Sequence, residues 1–298
     1  MSAREHRGFS LVEILVSFTV LAVVGGGLAA AVASQWRSHD GLADDQRIRQ
    51  AMGGTADLLL AEIRSVSPAA GDIRAALDTA LEVRATLGTA VVCSVTVARD
   101  RIMVPPRRPV AGAPLTWWRD MPAPGDSIDI FNARGGLPDS ISRHELVALG
   151  GGRCPMASPF ARSAADATSS LELTVSPPLP PSIGTGAPVR FLRWTRYSLY
   201  RSTADNRWYF GIKELLSGAW AVVQPVTGPL APAAPLGSGG MSLRVIDSAG
   251  STVTTGAYGG ARAIELSVRA RGLRGPRALG RRVQAAESLH VVLAPRNE

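Results

Sequence analysis

From Ile14 to Trp36 the chain carries no charged residue. Such a run slightly exceeds the ~20 residues that a helix needs to cross a bilayer, and it constrains everything that follows. The eight residues Met1 to Gly8 are polar and include the cations Arg4 and Arg7. Cations before a span favour keeping that end on the cytoplasmic side, which places the bulk of the chain across the membrane. Three ordinary readings compete at this point. The run is a plain signal anchor, a cleavable secretory signal or a buried core helix. Ala31-Val32-Ala33 before Ser34 fits a small-x-small cleavage site, whereas the length of the run argues against a core helix.

Glu13 is awkward for all three. A carboxylate at the apolar edge of a spanning helix is expensive and usually has a partner. The sequence around it, Gly8-Phe9-Ser10-Leu11-Val12-Glu13, closely resembles the processing site of type IV prepilins and pseudopilins. The resemblance implies cleavage between Gly8 and Phe9 by a membrane-embedded aspartyl peptidase, which then methylates the Phe9 amine. It also implies that Glu13 is the glutamate at the fifth mature position. A new amine buried among apolar helices needs a counter-charge, and Glu13 of a neighbouring subunit supplies one. Buried pairs of this kind serve register better than net stability.

Helical periodicity continues beyond Trp36, where charges return. Leu42, Ile48, Met52, Leu59, Ile63 and Val66 recur at steps of three, four or their sums, while Asp45, Arg49, Asp57 and Arg64 fill the other faces. Pro68 terminates the pattern. A helix from Phe9 to Val66 is about 87 Å long at 1.5 Å per residue. A cleavable secretory signal gives no reason for the stripe to continue in phase with the apolar run. Gly25-Gly26-Gly27 interrupts the run at about 1 kcal/mol per glycine relative to alanine. The triplet reads either as close packing through small residues or, by the resemblance, as a segment that loses helicity on assembly. Gly41 and Gly53-Gly54 mark further candidate bends.

The remainder reads as a β-rich domain. Asp72 to Leu87 suggests a short helix with Ile73, Leu77, Leu81 and Val83 inward. Strand patterns follow at 90–97, 128–131, 146–149, 171–175, 189–200, 208–213, 219–223, 242–246, 263–269 and 289–293. Trp208, Phe210 and Ile212 alternate, as do Ile264, Leu266 and Val268, the mark of half-buried antiparallel strands. Pro177-Pro178-Leu179-Pro180-Pro181 and the stretch from Gln224 to Gly240 read as loops. The fold class is therefore α+β: a long N-terminal hydrophobic helix packed on an antiparallel sheet. The expected division is a leader at 1–8, an assembly half-helix at 9–36, an amphipathic half-helix at 37–67 and a periplasmic or extracellular domain at 68–298. Arg47-Ile48-Arg49-Gln50-Ala51, Leu60-Ala61-Glu62-Ile63-Arg64, Arg196-Tyr197-Ser198-Leu199-Tyr200 and Val291-Val292-Leu293-Ala294-Pro295-Arg296-Asn297 resemble PilW-type minor pilins and the J-type minor pseudopilins of type II secretion. Length favours the PilW type.

Composition adds limits. Aromatics make up 5% of the chain against 46% hydrophobic residues, so the core is built mainly from Val, Leu, Ile and Ala. The net charge is +8, from 32 basic and 24 acidic residues, with Lys213 the only lysine. The two cysteines, Cys93 and Cys154, lie too far apart in sequence to make a zinc site, and no Cys-x-x-Cys is present. In an oxidising compartment they form one disulfide; two buried free thiols are the alternative. The histidines His6, His39, His144 and His290 have no metal-ligand spacing, and no nucleophile elbow, Walker loop or dinucleotide fingerprint occurs. No metal, no cofactor and no enzymatic role are expected. Gly184-Thr185-Gly186 lacks a strand–helix context.

Seven arginines lie between Arg262 and Arg282, and Arg271, Arg274, Arg277, Arg281 and Arg282 cluster in a Gly-rich stretch. They read as a solvated loop or subunit contact, with DNA phosphates as the rival ligand; aromatics for base stacking are absent nearby. The resemblance implies a minor pilin near the tip of a pilus. Its implied partners are a prepilin peptidase, other minor and major pilins, the inner membrane and the assembly machinery.

Overall fold

The computed structural model describes residues 11–110, 112–132, 140–157, 159–234, 239–253, 256–271, 277–278, 281–282 and 286–295. The chain divides into two compact units, Met1–Gln50 with Arg271–Glu287, and Ala51–Ala270 with Ser288–Glu298. In the first unit, the early part of helix α1 (Leu11–Ile63) is accompanied by a two-residue ladder and an Arg49–Glu287 ion pair of 3.5 Å. The second unit holds the rest of α1 and most of the strands.

After α1 come β1 (Ile73–Leu77), β2 (Ala80–Val91), β3 (Ser94–Val95), β4 (Arg101–Val104), β5 (Trp117–Trp118) and β6 (Ser127–Asn132). Next are β7 (Ser140–Gly152), the short helix α2 (Ala164–Thr168), β8 (Ser170–Ser176), β9 (Pro188–Arg201), β10 (Trp208–Leu216), β11 (Ala219–Trp220) and β12 (Gln224–Leu230). The last are β13 (Met241–Asp247), β14 (Ala261–Arg271), β15 (Arg277–Ala278), β16 (Arg281–Arg282) and β17 (Ala286–Leu293). The main sheet runs β1-β2-β9-β6-β7-β8-β4-β3, with β10 to β12 attached through β9 and β5 through β2. A second sheet runs β13-β14-β17. The molecule is thus α+β, as the pattern predicts.

β9 organises the main sheet. One edge pairs with β2 along nearly its whole length, from Val91↔Pro188 to Ala80↔Ser198. Its other edge is divided: Val189 to Leu192 pair with β6, and Thr195 to Arg201 pair with β10. Val189, Phe191, Arg193, Thr195, Tyr197 and Leu199 alternate along one buried face. Phe191 and Val189 enter a core with Leu87, Ile102, Val104, Ile128, Ile130, Leu146 and Leu173, and Trp118 meets Phe191 edge-on at 6.3 Å. Further along, Tyr197 stacks on Phe210 at 6.1 Å.

Arg193 sits where β9 passes from one neighbour to the other, and it is 1% exposed. Its guanidinium grips Asp126 with two bonds of 2.9 and 2.8 Å. It also donates to Asp120 at 2.6 Å, Glu214 at 2.8 Å and the Met121 carbonyl at 3.0 Å. All five of its N–H donors are therefore used. Asp126 precedes β6 and Glu214 lies in β10, so one cation ties the two halves of the divided edge together.

Several sequence expectations are corrected. Residues 72–87 are not a helix but the β1–β2 hairpin, with Leu77↔Ala80 closing a two-residue turn. Ile73, Leu77 and Leu81 are spaced by four, which is a multiple of the strand period as well as about one helical turn; the buried Val83, Ala85 and Leu87 settle it in favour of a strand. Gln224 to Leu230 is β12 rather than a loop, because prolines are tolerated on an edge strand. The strand expected at 90–97 is broken between Val91 and Ser94, around Cys93, and that at 219–223 shrinks to two residues. Helix α1 ends at Ile63, three residues before Val66, though Val66 remains fully buried. β4 and the first half of β7 carry Arg101, Arg143 and His144, which masked their alternation.

Replacing Arg193 with Met leaves Asp126 buried and unpaired. Breaking one side of a buried ion pair costs about 3–5 kcal/mol, so denaturant unfolding of the detergent-solubilised chain is expected to show a loss in that range. Arg207→Met, which removes a 4.0 Å pair with the exposed Asp205, is expected to leave the unfolding midpoint essentially unchanged.

Candidate functional site: an exposed apolar half-helix

Helix α1 is two surfaces in one element. Over Leu11–Trp36 the mean hydropathy is 2.2 and none of the window is buried within the chain. Leu11, Phe18, Leu21, Val23 and Trp36 are each more than two-thirds exposed. The 26 residues span about 39 Å, more than the ~30 Å hydrocarbon thickness of a bilayer. Water does not stabilise so much bare apolar area, so the segment belongs in lipid or against other helices.

Its few polar side chains are arranged accordingly. The Ser17 hydroxyl donates to the Glu13 carbonyl at 2.7 Å, and that of Thr19 to the Leu15 carbonyl at 2.5 Å. Both donors are thus satisfied by their own helix, as hydrocarbon demands. Glu13 differs from them in carrying a charge. It lies in the first turn of α1, where the positive end of the helix dipole favours a carboxylate, and it is exposed. Gly25, Gly26 and Gly27 are helical and have open space where a side chain would project.

The later part of α1 is anchored. Ala51, Met52, Thr55, Ala56, Leu59 and Ile63 are buried. Thr55 shares a 2.5 Å hydrogen bond with Thr227 of β12. The Thr227 methyl carbon lies 3.1 Å from where a Cβ on Gly54 would sit, so glycine permits this close approach. Of the expected stripe, Ile48, Met52, Leu59, Ile63 and Val66 are buried, whereas Leu42 is 60% exposed. Leu42 therefore behaves like the apolar run that precedes it.

The helix has no basic residue in its last turn. Cations reach its end from the sheet instead. Arg190 donates to the Ser65 carbonyl at 2.7 Å, Arg143 to Ala70 at 2.5 Å and Arg84 to Gly71 at 2.8 Å. These three surround the buried Asp72 and Asp129. Arg143 spans both, at 2.7 Å from each, and Arg190 meets Asp129 at 3.0 Å. Burial opposes ionisation of Asp129, but the hydrogen bonds from Arg143 and Arg190 outweigh it and hold the carboxyl below its ordinary range. Asp72 in turn accepts from the Ser67 amide at 2.9 Å. Sequence reasoning did not find this cluster.

The remaining candidates are dispersed. Gly8, Phe9 and Arg274 lie outside the described residues. Cys93 and Cys154 form a disulfide with a Cα–Cα distance of 5.6 Å, packed with Ala161 and Ala167. Closing a loop of 61 residues contributes about 4 kcal/mol in the chain-entropy account. Arg277, Arg281 and Arg282 fall in the β15–β16 ladder rather than a plain loop, and Arg271 ends β14. His144 is buried: its Nδ1–H donates to the Pro177 carbonyl, so Nε2 accepts from Ser142, each at 2.7 Å. His290 meets Ser267 at 2.9 Å. No cluster of potential metal ligands exists among the described residues.

Residues 3–29 match the model of the prokaryotic N-terminal methylation motif. Neither curated proteins nor solved structures give a match. The matched stretch takes in Gly8, Phe9, Glu13 and the glycine triplet. It supports a pilin-like or pseudopilin substrate of prepilin peptidase, a class of structural subunits, and with the apolar helix it is consistent with membrane anchoring.

Because the folded Asp129 binds its proton more weakly than the unfolded chain does, its contribution to stability is complete above the unfolded value near pH 4. That contribution is lost as the pH falls through the lower, folded value. Asp129→Asn is expected to lower stability at neutral pH and to flatten the decline below about pH 4. Denaturant midpoints measured from pH 7 to pH 2 check both parts.

Proposed function

We propose that this chain is a minor type IV pilin of the PilW type, a low-copy structural subunit near the pilus tip that helps to initiate assembly. One observation carries the reading. A fully exposed apolar half-helix begins with a single carboxylate, inside a methylation motif, and continues into a half-helix buried in a β-domain. An anchor alone has no use for Glu13, and a removable signal has no use for the continuity.

On this reading residues 1–8 are the leader and prepilin peptidase cuts between Gly8 and Phe9. Residues 9–36 cross the inner membrane once and later pack among neighbouring subunits. Residues 37–67 join them to the domain at 68–298, which faces the periplasm and then the cell surface. Methylation keeps the Phe9 amine basic. Among apolar helices that amine and Glu13 of an adjoining subunit have no other strong partner, and their pairing fixes axial register. The partners are the peptidase, the assembly machinery and other minor and major pilins. An interior disulfide suits the oxidising side of the membrane.

Intact mass of the protein from native membranes is expected to correspond to a chain beginning at N-methylated Phe9. A chain that retains Met1, or begins at Ser34, overturns the reading. Gly8→Val is expected to leave an uncut precursor in the membrane. Glu13→Leu is expected to be trimmed normally yet to be lost from sheared pili, measured by immunoblot.

A further inference from the structure

A terminal strand of a sheet exposes unpaired N–H and C=O groups, and proteins blunt such edges. The terminal strands among the described residues are β1, β3, β12, β13 and β17, besides the two-residue β5, β11, β15 and β16. Four of the five carry a recognisable device. At β1, the Ala76 amide donates to the Tyr258 hydroxyl at 3.1 Å, so an aromatic side chain occupies the edge. β3 is only two residues long. β12 contains Pro225 and Pro229, which remove donors. On β13, the Leu243 amide bonds to the Asp78 carbonyl and the Val245 carbonyl accepts from Val253, both at 2.8 Å.

Among the described residues β17 shows none of these. It is eight residues long, lacks proline, lysine and arginine, and its one charge is Glu287, next to its start. Among the described residues its only ladder partner is β14. Leu289, Val291 and Leu293 continue the apolar face that Ile264, Leu266 and Val268 form on β14, whereas Ser288, His290 and Val292 are exposed.

We infer that β17 is a strand-addition site, and that its occupant is an extended strand of a different pilin-like subunit. The inference rests on the proposed function, which supplies such neighbours. Among the described residues, the unblunted terminal strand that a second copy of this chain offers is the same β17. Pairing β17 with β17 makes a two-fold contact that consumes both edges and closes, which stops a polymer instead of continuing it. A heterologous strand leaves the partner's other surfaces free. Backbone hydrogen bonds hold the added strand, and alternate side chains select it. The partner strand presents apolar residues alongside Leu289 and Val291, and uncharged ones alongside Ser288, His290 and Val292.

The test is photo-cross-linking of the full-length chain in its native membranes. A photoreactive phenylalanine analogue replaces Val292, which is 58% exposed, or Val222, which is 85% exposed and serves as the control. The expected product forms at position 292 and not at 222. Peptide mapping is expected to locate the joined residue in a strand of another chain that bears a methylated N-terminus. Ser288→Lys, an exposed change that charges the edge, is expected to lower the yield about tenfold. Products equal at both positions, a product joined to a second copy of this chain, or no product at 292 overturns the inference. The N-terminal mass of the same sample separates the two readings. Mature Phe9 without a product at 292 removes strand addition alone, whereas an unprocessed chain removes the pilin reading beneath it.

Discussion

A buried guanidinium with every donor engaged holds the main sheet together. Without Arg193 the divided edge of β9 confronts three carboxylates, Asp120, Asp126 and Glu214, of which only Glu214 keeps another cation among the described residues. With it, the core around Phe191 and the pair Tyr197–Phe210 become parts of one continuous layer. Arg119 extends the network by contacting both Glu214 and Glu62 of α1, at 3.1 and 3.2 Å. The anchored part of the helix is thereby coupled to the same junction. Desolvating so many charges is costly. What they provide in return is specificity: a strand that must pair with two partners along one edge has its register pinned at the crossing point.

The broad architecture was legible because periodicity is a property of neighbours in sequence. The apolar run, the helical phase continuing past it, and the alternation in β10 and β14 could all be read without tertiary knowledge. The failures have physical reasons. Spacing by four does not separate a helix from a strand, and only the alternation through Val83, Ala85 and Leu87 decides. Prolines at 225 and 229 suggest a loop unless the strand is known to lie on an edge. Arg193 did leave a signal, since it occupies the same parity as Val189, Phe191, Tyr197 and Leu199, a cation in phase with core residues. Its partners lie 67 positions upstream and 21 downstream, and no local pattern connects them. The Asp72–Asp129 cluster was illegible for the same reason.

The candidate site divides differently. Glu13 and the apolar run were visible at once, because a charge in a greasy segment needs no partner on the page to be conspicuous. The anchorage of the buried last part of α1 was not. It depends on Arg84, Arg143 and Arg190, drawn from three strands, meeting the chain just beyond the end of a helix that lacks its own basic residue. Composition gave the many arginines but not their direction. Arg84, Arg99, Arg143, Arg190 and Arg193 are occupied inward, on carboxylates and carbonyls, and the net positive charge overstates what is available to an outside ligand.

Ser17 and Thr19 turn their hydroxyls back onto their own backbone. This leaves the apolar cylinder without directional chemistry over most of its length. Dispersion forces between such surfaces are short-ranged and indifferent to orientation, so one rod can slide or roll along another with little friction. At the carboxylate the cylinder carries its one charge and distinguishes one position from the next, as a smooth shaft is stopped by a notch.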